Sequence, residues 1–159
     1  MAKTLILGLG NPVRSDDGVG IRVVEQLKGR LSPQVNLEID IDWAGTAGLG
    51  ILETIAGYDR LIVVDAIECG EEPGTVLKMG LSDLELRGTE HAFSSHEADF
   101  VTTLKLGAKL GLPLPTHISI VAVQVADVAC FSEVCTPAVE KAIPKAIQVV
   151  LKSCAEHSS

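Results

Sequence analysis

A chain of 159 residues is long enough to bury a proper core as one domain without disulfides or a structural metal, so residues 1–159 are read as a single unit. Apolar residues make up 47% and aromatic residues 3%, so the core must be built from Val, Ile, Leu and Ala, the palette of a parallel sheet covered by helices. A formal charge of -8 argues against a nucleic-acid partner, whose phosphates are met by Lys and Arg, and no segment approaches the ~18–20 consecutive apolar residues of a membrane span.

Residues 4–9, TLILGL, form an apolar run stopped by Gly10 and Asn11, which predicts a strand buried on both faces. Residues 18–29 follow with Val19, Val23 and Leu27 on one stripe at helical spacing. Strand then helix opens an α/β unit, and the pattern repeats. A strand is expected at 35–41, a glycine-rich turn after it, and a short helix through ILETIAG. RLIVVDA, residues 60–66, is the clearest buried strand, and GTVLKM, 74–79, is the next. Beyond a polar stretch, 97–111 reads as a helix with Phe100, Leu104 and Leu110 near one face, and 117–125 as another strand. Thr136 and Pro137 read as an N-cap and first helical residue opening the last helix, in which Pro144 predicts a kink because it lacks an N–H. The last few residues, His157 among them, are expected to fray. Alternating strands and helices imply an α/β three-layer sandwich.

Four cysteines, Cys69, Cys130, Cys135 and Cys154, are scattered without a Cys-x-x-Cys pair. They fit thiols in a reducing compartment, and the N-terminal run has no signal-peptide pattern, so a cytoplasmic location is expected.

In open α/β sheets ligands bind beyond the carboxyl ends of the strands. Asp16 and Asp17 follow the first strand, Asp65 closes the strand LIVVD, and His96 lies in HAFSSHEAD, read as a polar loop ahead of a helix. Two carboxylates and an imidazole from three loops match the ligands of a divalent metal with open coordination positions. Simpler readings stand beside this one. Ser15, Asp16 or Asp17 suits the cap of the following helix. Asp65 could bind backbone at the strand end, and Ser94 and Glu97 have capping-box spacing around His96. His91, His117 and His157 carry no such signal. A dinucleotide loop is excluded because Val13 occupies the third glycine position of Gly-x-Gly-x-x-Gly and two acids would oppose a pyrophosphate. No Gly-x-Ser-x-Gly elbow occurs.

LGLGNPVRSDDGVG, the GTAG turn at 45–48, LIVVDAI at 61–67, PGTV at 73–76 and SSHEAD at 94–99 occur in order along nearly the whole chain. Together they resemble the nickel-iron hydrogenase maturation endopeptidases. The resemblance implies a mixed, mostly parallel five-stranded sheet between helices, a phosphorylase/hydrolase-like fold. It also implies removal of a C-terminal extension from a hydrogenase large-subunit precursor once nickel is inserted. By position, Asp17, Asp65 and His96 match the family's metal-contacting residues, and Gly8, Gly10, Asn11, Asp16, Gly18, Gly45 and Thr46 match the supporting loops. The implied metal is nickel, that of the substrate, with zinc or cadmium able to occupy the same ligands in vitro. The chain departs from the family at WAGT, where Trp43 replaces an aspartate; Asp42 lies one position earlier and could substitute only if the backbone shifts, since neighbours in an extended segment point opposite ways. The tryptophan otherwise reads as an apolar wall of the cleft.

Two mechanisms fit. A bound metal can polarise the scissile carbonyl and activate water with an Asp as base, or the acids and histidine can recognise the substrate's own nickel so that only a loaded precursor is cut. The second is favoured and the nucleophile is left unassigned. A nickel-binding checkpoint protein or chaperone without cleavage uses the same ligands. Peptidyl-tRNA hydrolases share GLGNP, but SDDG and the acidic composition oppose a tRNA substrate.

Overall fold

The computed structural model describes residues 3–30, 38–45, 50–83 and 95–156, with the backbone alone for 95–99. Five strands form one sheet: β1 (Thr4–Leu9), β2 (Ile39–Ala44), β3 (Arg60–Ile67), β4 (Val76–Gly80) and β5 (His117–Gln124). Their order is β2-β1-β3-β5-β4, with β4 alone antiparallel, at one edge. The parallel pairs require long crossovers, and helices supply them. These are α1 (Val19–Lys28), α2 (Gly50–Ile55), α3 (Ser95–Lys109) and α4 (Pro137–Ala155).

The strand sequences explain the two-sided core. Leu5, Leu7 and Leu9 of β1 and Leu61, Val63 and Ile67 of β3 face one layer, where Ile51, Leu52 and Ile55 of α2 meet Phe100 and Leu104 of α3. Ile6, Ile62 and Val64 face the other, under Val19, Val23, Val24 and Leu27 of α1 and Val139, Ile143, Ile147 and Val150 of α4. At about 25 cal/mol per Å² of apolar area removed from water, such side chains contribute roughly 1.5–3 kcal/mol each. The expected three-layer α/β sandwich with a mixed, mostly parallel five-stranded sheet is the observed architecture.

Boundaries moved where local pattern was a poor guide. β2 spans Ile39–Ala44 instead of 35–41, because its pairing with β1 continues from Thr4↔Ile39 to Leu9↔Ala44; residues 35–37 lie outside the described segments. β4 starts at Val76, after Gly74 turns the chain at φ +90. α3 begins at Ser95, so His96 stands in its first turn and not in a loop ahead of it. That start agrees with the Ser94–Glu97 spacing. Thr136 and Pro137 open α4 as expected, and the helix continues unbroken through Pro144.

Candidate functional site

The carboxyl ends of β1, β3 and β5 lie side by side, and the loops leaving them carry the acids. Gly10 ends β1 at φ +141, and a Cβ there would stand 2.0 Å from the Asp17 carbonyl oxygen. Only glycine lets the chain double back so tightly. The result is a 3-10 turn, Ser15–Gly18, folded over the strand end with all four of its residues buried. Next, α1 crosses the sheet at close range: a Cβ on Gly20 would lie 2.2 Å from the Val64 carbonyl oxygen, and one on Gly8 2.6 Å from that of Gly20. Gly18 has a looser fit, 3.1 Å from the Asn11 carbonyl oxygen.

The two adjacent acids have separate partners. Asp17 is buried, and its Oδ2 accepts the Asn11 backbone N–H at 2.9 Å, while Asn11 Oδ1 accepts that of Val13 at 3.1 Å. Asn11 thereby shapes the loop as well as orienting the acid. Asp16 is fully buried and points elsewhere. Its Oδ2 accepts the N–H groups of Ala126 at 2.8 Å and Asp127 at 3.0 Å and the Thr136 hydroxyl at 2.8 Å, and its Oδ1 accepts the Thr136 N–H at 2.6 Å. It joins the loop after β1 to the loop after β5 and to the start of α4. The capping expectation for Ser15, Asp16 and Asp17 is corrected here: α1 has Gly18 at its N-cap, with no side-chain cap bond. The Thr136 hydroxyl likewise leaves its own helix uncapped to bind Asp16.

Backbone bonds complete the junction of these loops. Ser15 N–H donates to Ser132 O and Ser132 N–H to Val13 O, both at 2.9 Å, and Asp16 N–H donates to Asp127 O at 3.0 Å. The Cys130 thiol and the amides of Ala129 and Cys130 hold the Asp127 carboxyl below its ordinary range. Cys135 is buried against the Ser15 carbonyl; burial first, and then the charge of Asp16, push its thiol up to about 11.

Asp65 is buried near the end of β3, level with Ala122 on β5, and its Oδ1 accepts the N–H of Ala66 at 2.8 Å. The strand alternation puts it on the face of Leu61, Val63 and Ile67, beneath the layer formed by α2 and α3. His96 stands in α3 one helical turn before Phe100, which is buried in that layer. Because α3 leads into β5, its start lies at the carboxyl edge. Among the described side chains no three His, Cys, Asp or Glu residues could hold a metal, and the side chain of His96 lies outside the description. Oxygen donors of Asp17 and Asp65 with an imidazole would suit a borderline cation such as nickel or zinc.

Gly45 lies just beyond β2, exposed, with open space where a Cβ would be; Thr46 and the rest of its turn fall outside the described residues. β2 continues through Trp43, so Asp42 and Trp43 stay on opposite faces. Asp42 pairs in register with Leu7 and accepts its neighbour's N–H at 2.8 Å. Trp43, half-exposed, shares the register of Gly8, hence the α1 face and not the face of Asp65. A cavity of about 450 Å³ lined by Arg60, Gly80, Thr116 and His117 opens at the opposite ends of β3 and β5, away from the acids. What the sequence did not reveal is the loop at 126–136, whose only local mark is the Asp127 turn.

Residues 21–153 match the family model described as hydrogenase maturation protease. Among curated proteins the chain is similar to the hydrogenase expression/formation protein HupD of Bradyrhizobium diazoefficiens, 34% identical over 97% of this chain and 79% of that protein. It is also 31% identical to the coenzyme F420 hydrogenase subunit delta of Methanothermobacter thermautotrophicus, over 94% of this chain and 93% of the relative. Among solved structures it resembles the hydrogenase maturating endopeptidase HybD from E. coli, with a TM-score of 0.85, 29% identity and coverage of 98% and 94%.

Proposed function

The chain belongs to the hydrogenase maturation protease family, and on that basis we propose that it cuts the C-terminal extension from a nickel-iron hydrogenase large-subunit precursor after nickel insertion. The observation that carries the reading is the pair of buried carboxylates, Asp17 and Asp65, at the ends of neighbouring parallel strands, with the start of the helix bearing His96 at the same edge. Nickel enters as the substrate's cargo. Asp17, Asp65 and His96 recognise it, and a precursor without the cation brings no positive charge to the two carboxylates at this edge, so it binds poorly.

Hydrolysis adds water across the peptide bond. A base must take the water's proton and the leaving amine must receive one; Asp17 and Asp65 are the carboxylates at this edge suited to that exchange, which makes the enzyme an aspartic-type endopeptidase. Four free thiols fit a reducing compartment, and the reaction is assigned to the cytoplasm. Among the described residues no helix is long and apolar enough to cross a membrane.

The test is incubation with a purified large-subunit precursor, with and without nickel, reading the intact mass of the products. Loss of a C-terminal peptide from the nickel-loaded form alone is the expected result. A verified precursor that binds and stays uncut would replace this reading with a nickel checkpoint protein lacking hydrolytic chemistry.

A further inference from the structure

The loops fused at the carboxyl edge carry an apolar ridge that the core does not use. Phe131 is 87% exposed, Val134 62% and Val13 44%, whereas the surrounding Ser15, Asp16, Asp17 and Cys135 are buried. These three side chains belong to one surface feature, because Ser132 N–H binds Val13 O and Arg14 bridges to Ser132. The backbone on both sides of Phe131 is tied down. Asp127 Oδ1 accepts the N–H groups of Ala129 and Cys130 at 2.8 and 3.2 Å, and the Ser132 hydroxyl exchanges bonds with the N–H and carbonyl of Val134, both at 3.1 Å. From α1, the Arg22 guanidinium donates to the carbonyls of Glu133 and Pro12, clamping both loops. An exposed phenylalanine on a restrained backbone loses little freedom when it is covered, the economical arrangement for a binding anchor.

We propose that Val13, Phe131 and Val134 form the docking ridge for an apolar segment of the large-subunit precursor beside its scissile bond, an inference that rests on the processing reaction proposed above. The occupant follows from position. Asp16 and Asp17 directly follow the turn that holds Val13, and the Asp16 carboxylate bonds residues 126, 127 and 136 on either side of Phe131. Val13 N–H binds Asn11 Oδ1 and Asn11 N–H binds Asp17 Oδ2, so the Val13 end of the ridge adjoins Asp17, and the chain that must reach Asp17 is the substrate. A second copy of this protein fits less well. Three side chains supply far less than the roughly 800 Å² per partner that a stable dimer buries, and a net charge of -8 repels a like-charged twin. A transient enzyme–substrate contact needs less area, because the peptide in the cleft adds its own.

The experiment measures affinity for the purified nickel-loaded precursor and initial cleavage rates across precursor concentrations, for the intact chain, Phe131→Ser, the pair Phe131→Ser with Val134→Ser, and Leu110→Ser. Leu110 is 64% exposed just after α3, at the far edge, and serves as control. The expected result is a rise in Kd and KM of about tenfold for Phe131→Ser, more for the pair, and none for Leu110→Ser, as for removal of an aromatic anchor. Circular dichroism checks that each variant folds. Ridge variants that bind and cut like the intact chain overturn the inference while leaving the proposed reaction in place. Sedimentation showing a dimer that the ridge variants dissolve overturns it in favour of self-association. An intact chain that neither binds nor cuts the precursor removes the reaction itself, and this partner with it.

Discussion

Asp16→Asn should destabilise the fold by about 4–5 kcal/mol, although it changes one atom and no volume. All four neighbours of the carboxylate are donors, three on Oδ2 and one on Oδ1, and the group is fully buried. An ionised carboxylate accepts on both oxygens; an amide has one acceptor and one NH2. The best orientation of Asn keeps its oxygen among the three donors at Ala126, Asp127 and Thr136 Oγ1, and turns its NH2 toward the Thr136 N–H. Three charge-assisted bonds then become neutral ones, a loss of roughly 1 kcal/mol each. The fourth becomes a contact between two donors and leaves a peptide N–H without its acceptor, for about 1–2 kcal/mol more. Against a total stability of about 5–15 kcal/mol this is a large fraction. Urea unfolding followed by far-UV circular dichroism measures it, with a constant m-value as the check that the unfolded state is unchanged. A difference under about 1 kcal/mol between Asp16→Asn and the parent would refute the four-donor account.

Three further outcomes follow from the same geometry. Gly10→Ala, at φ +141 with its Cβ 2.0 Å from a carbonyl oxygen, should cost about 2–4 kcal/mol in thermal unfolding, and an unchanged Tm would contradict the described turn. Asp17→Asn, Asp65→Asn and His96→Ala should each lower precursor cleavage by about a thousandfold or more with the dichroism spectrum retained; full activity in all three would end their assignment. Because the Cys135 thiol is raised from 9.0 to about 11, the folded state holds its proton longer than the unfolded one, so its contribution is complete below pH 9 and lost as pH rises toward 11. Cys135→Ala should therefore flatten the fall in stability between pH 9 and 11, and parallel curves for parent and variant would exclude the effect.

The parts of the fold that could be read from sequence are those whose cause is local. TLILGL and RLIVVDA are apolar runs without alternation, and a strand covered on both faces is what such runs form; the place of Asp65 near the carboxyl end of β3 follows from that strand. Capping was misjudged for the opposite reason. Ser15, Asp16 and Asp17 have the right side chains in the right place for α1, and Asp16 instead binds donors 110–120 residues away, which no local pattern encodes. The end of β2 is set by its partner β1, not by its own alternation. Phe131 carries no local mark of its surface position, since exposure is a property of the finished packing.

The Asp16 junction also bears on how the protein is made. β1 is the second strand of the sheet, with neighbours β2 and β3 both synthesised by residue 67, so one side of the sheet can form early. The turn bearing Asp17 cannot take its final shape then, because the donors that fix Asp16 are made 110 and more residues later. Contacts of such long sequence separation form late in folding. A nascent chain still on the ribosome therefore has strands but no finished turn at Asp17, and this edge of the newly made molecule is complete only when its last helix docks.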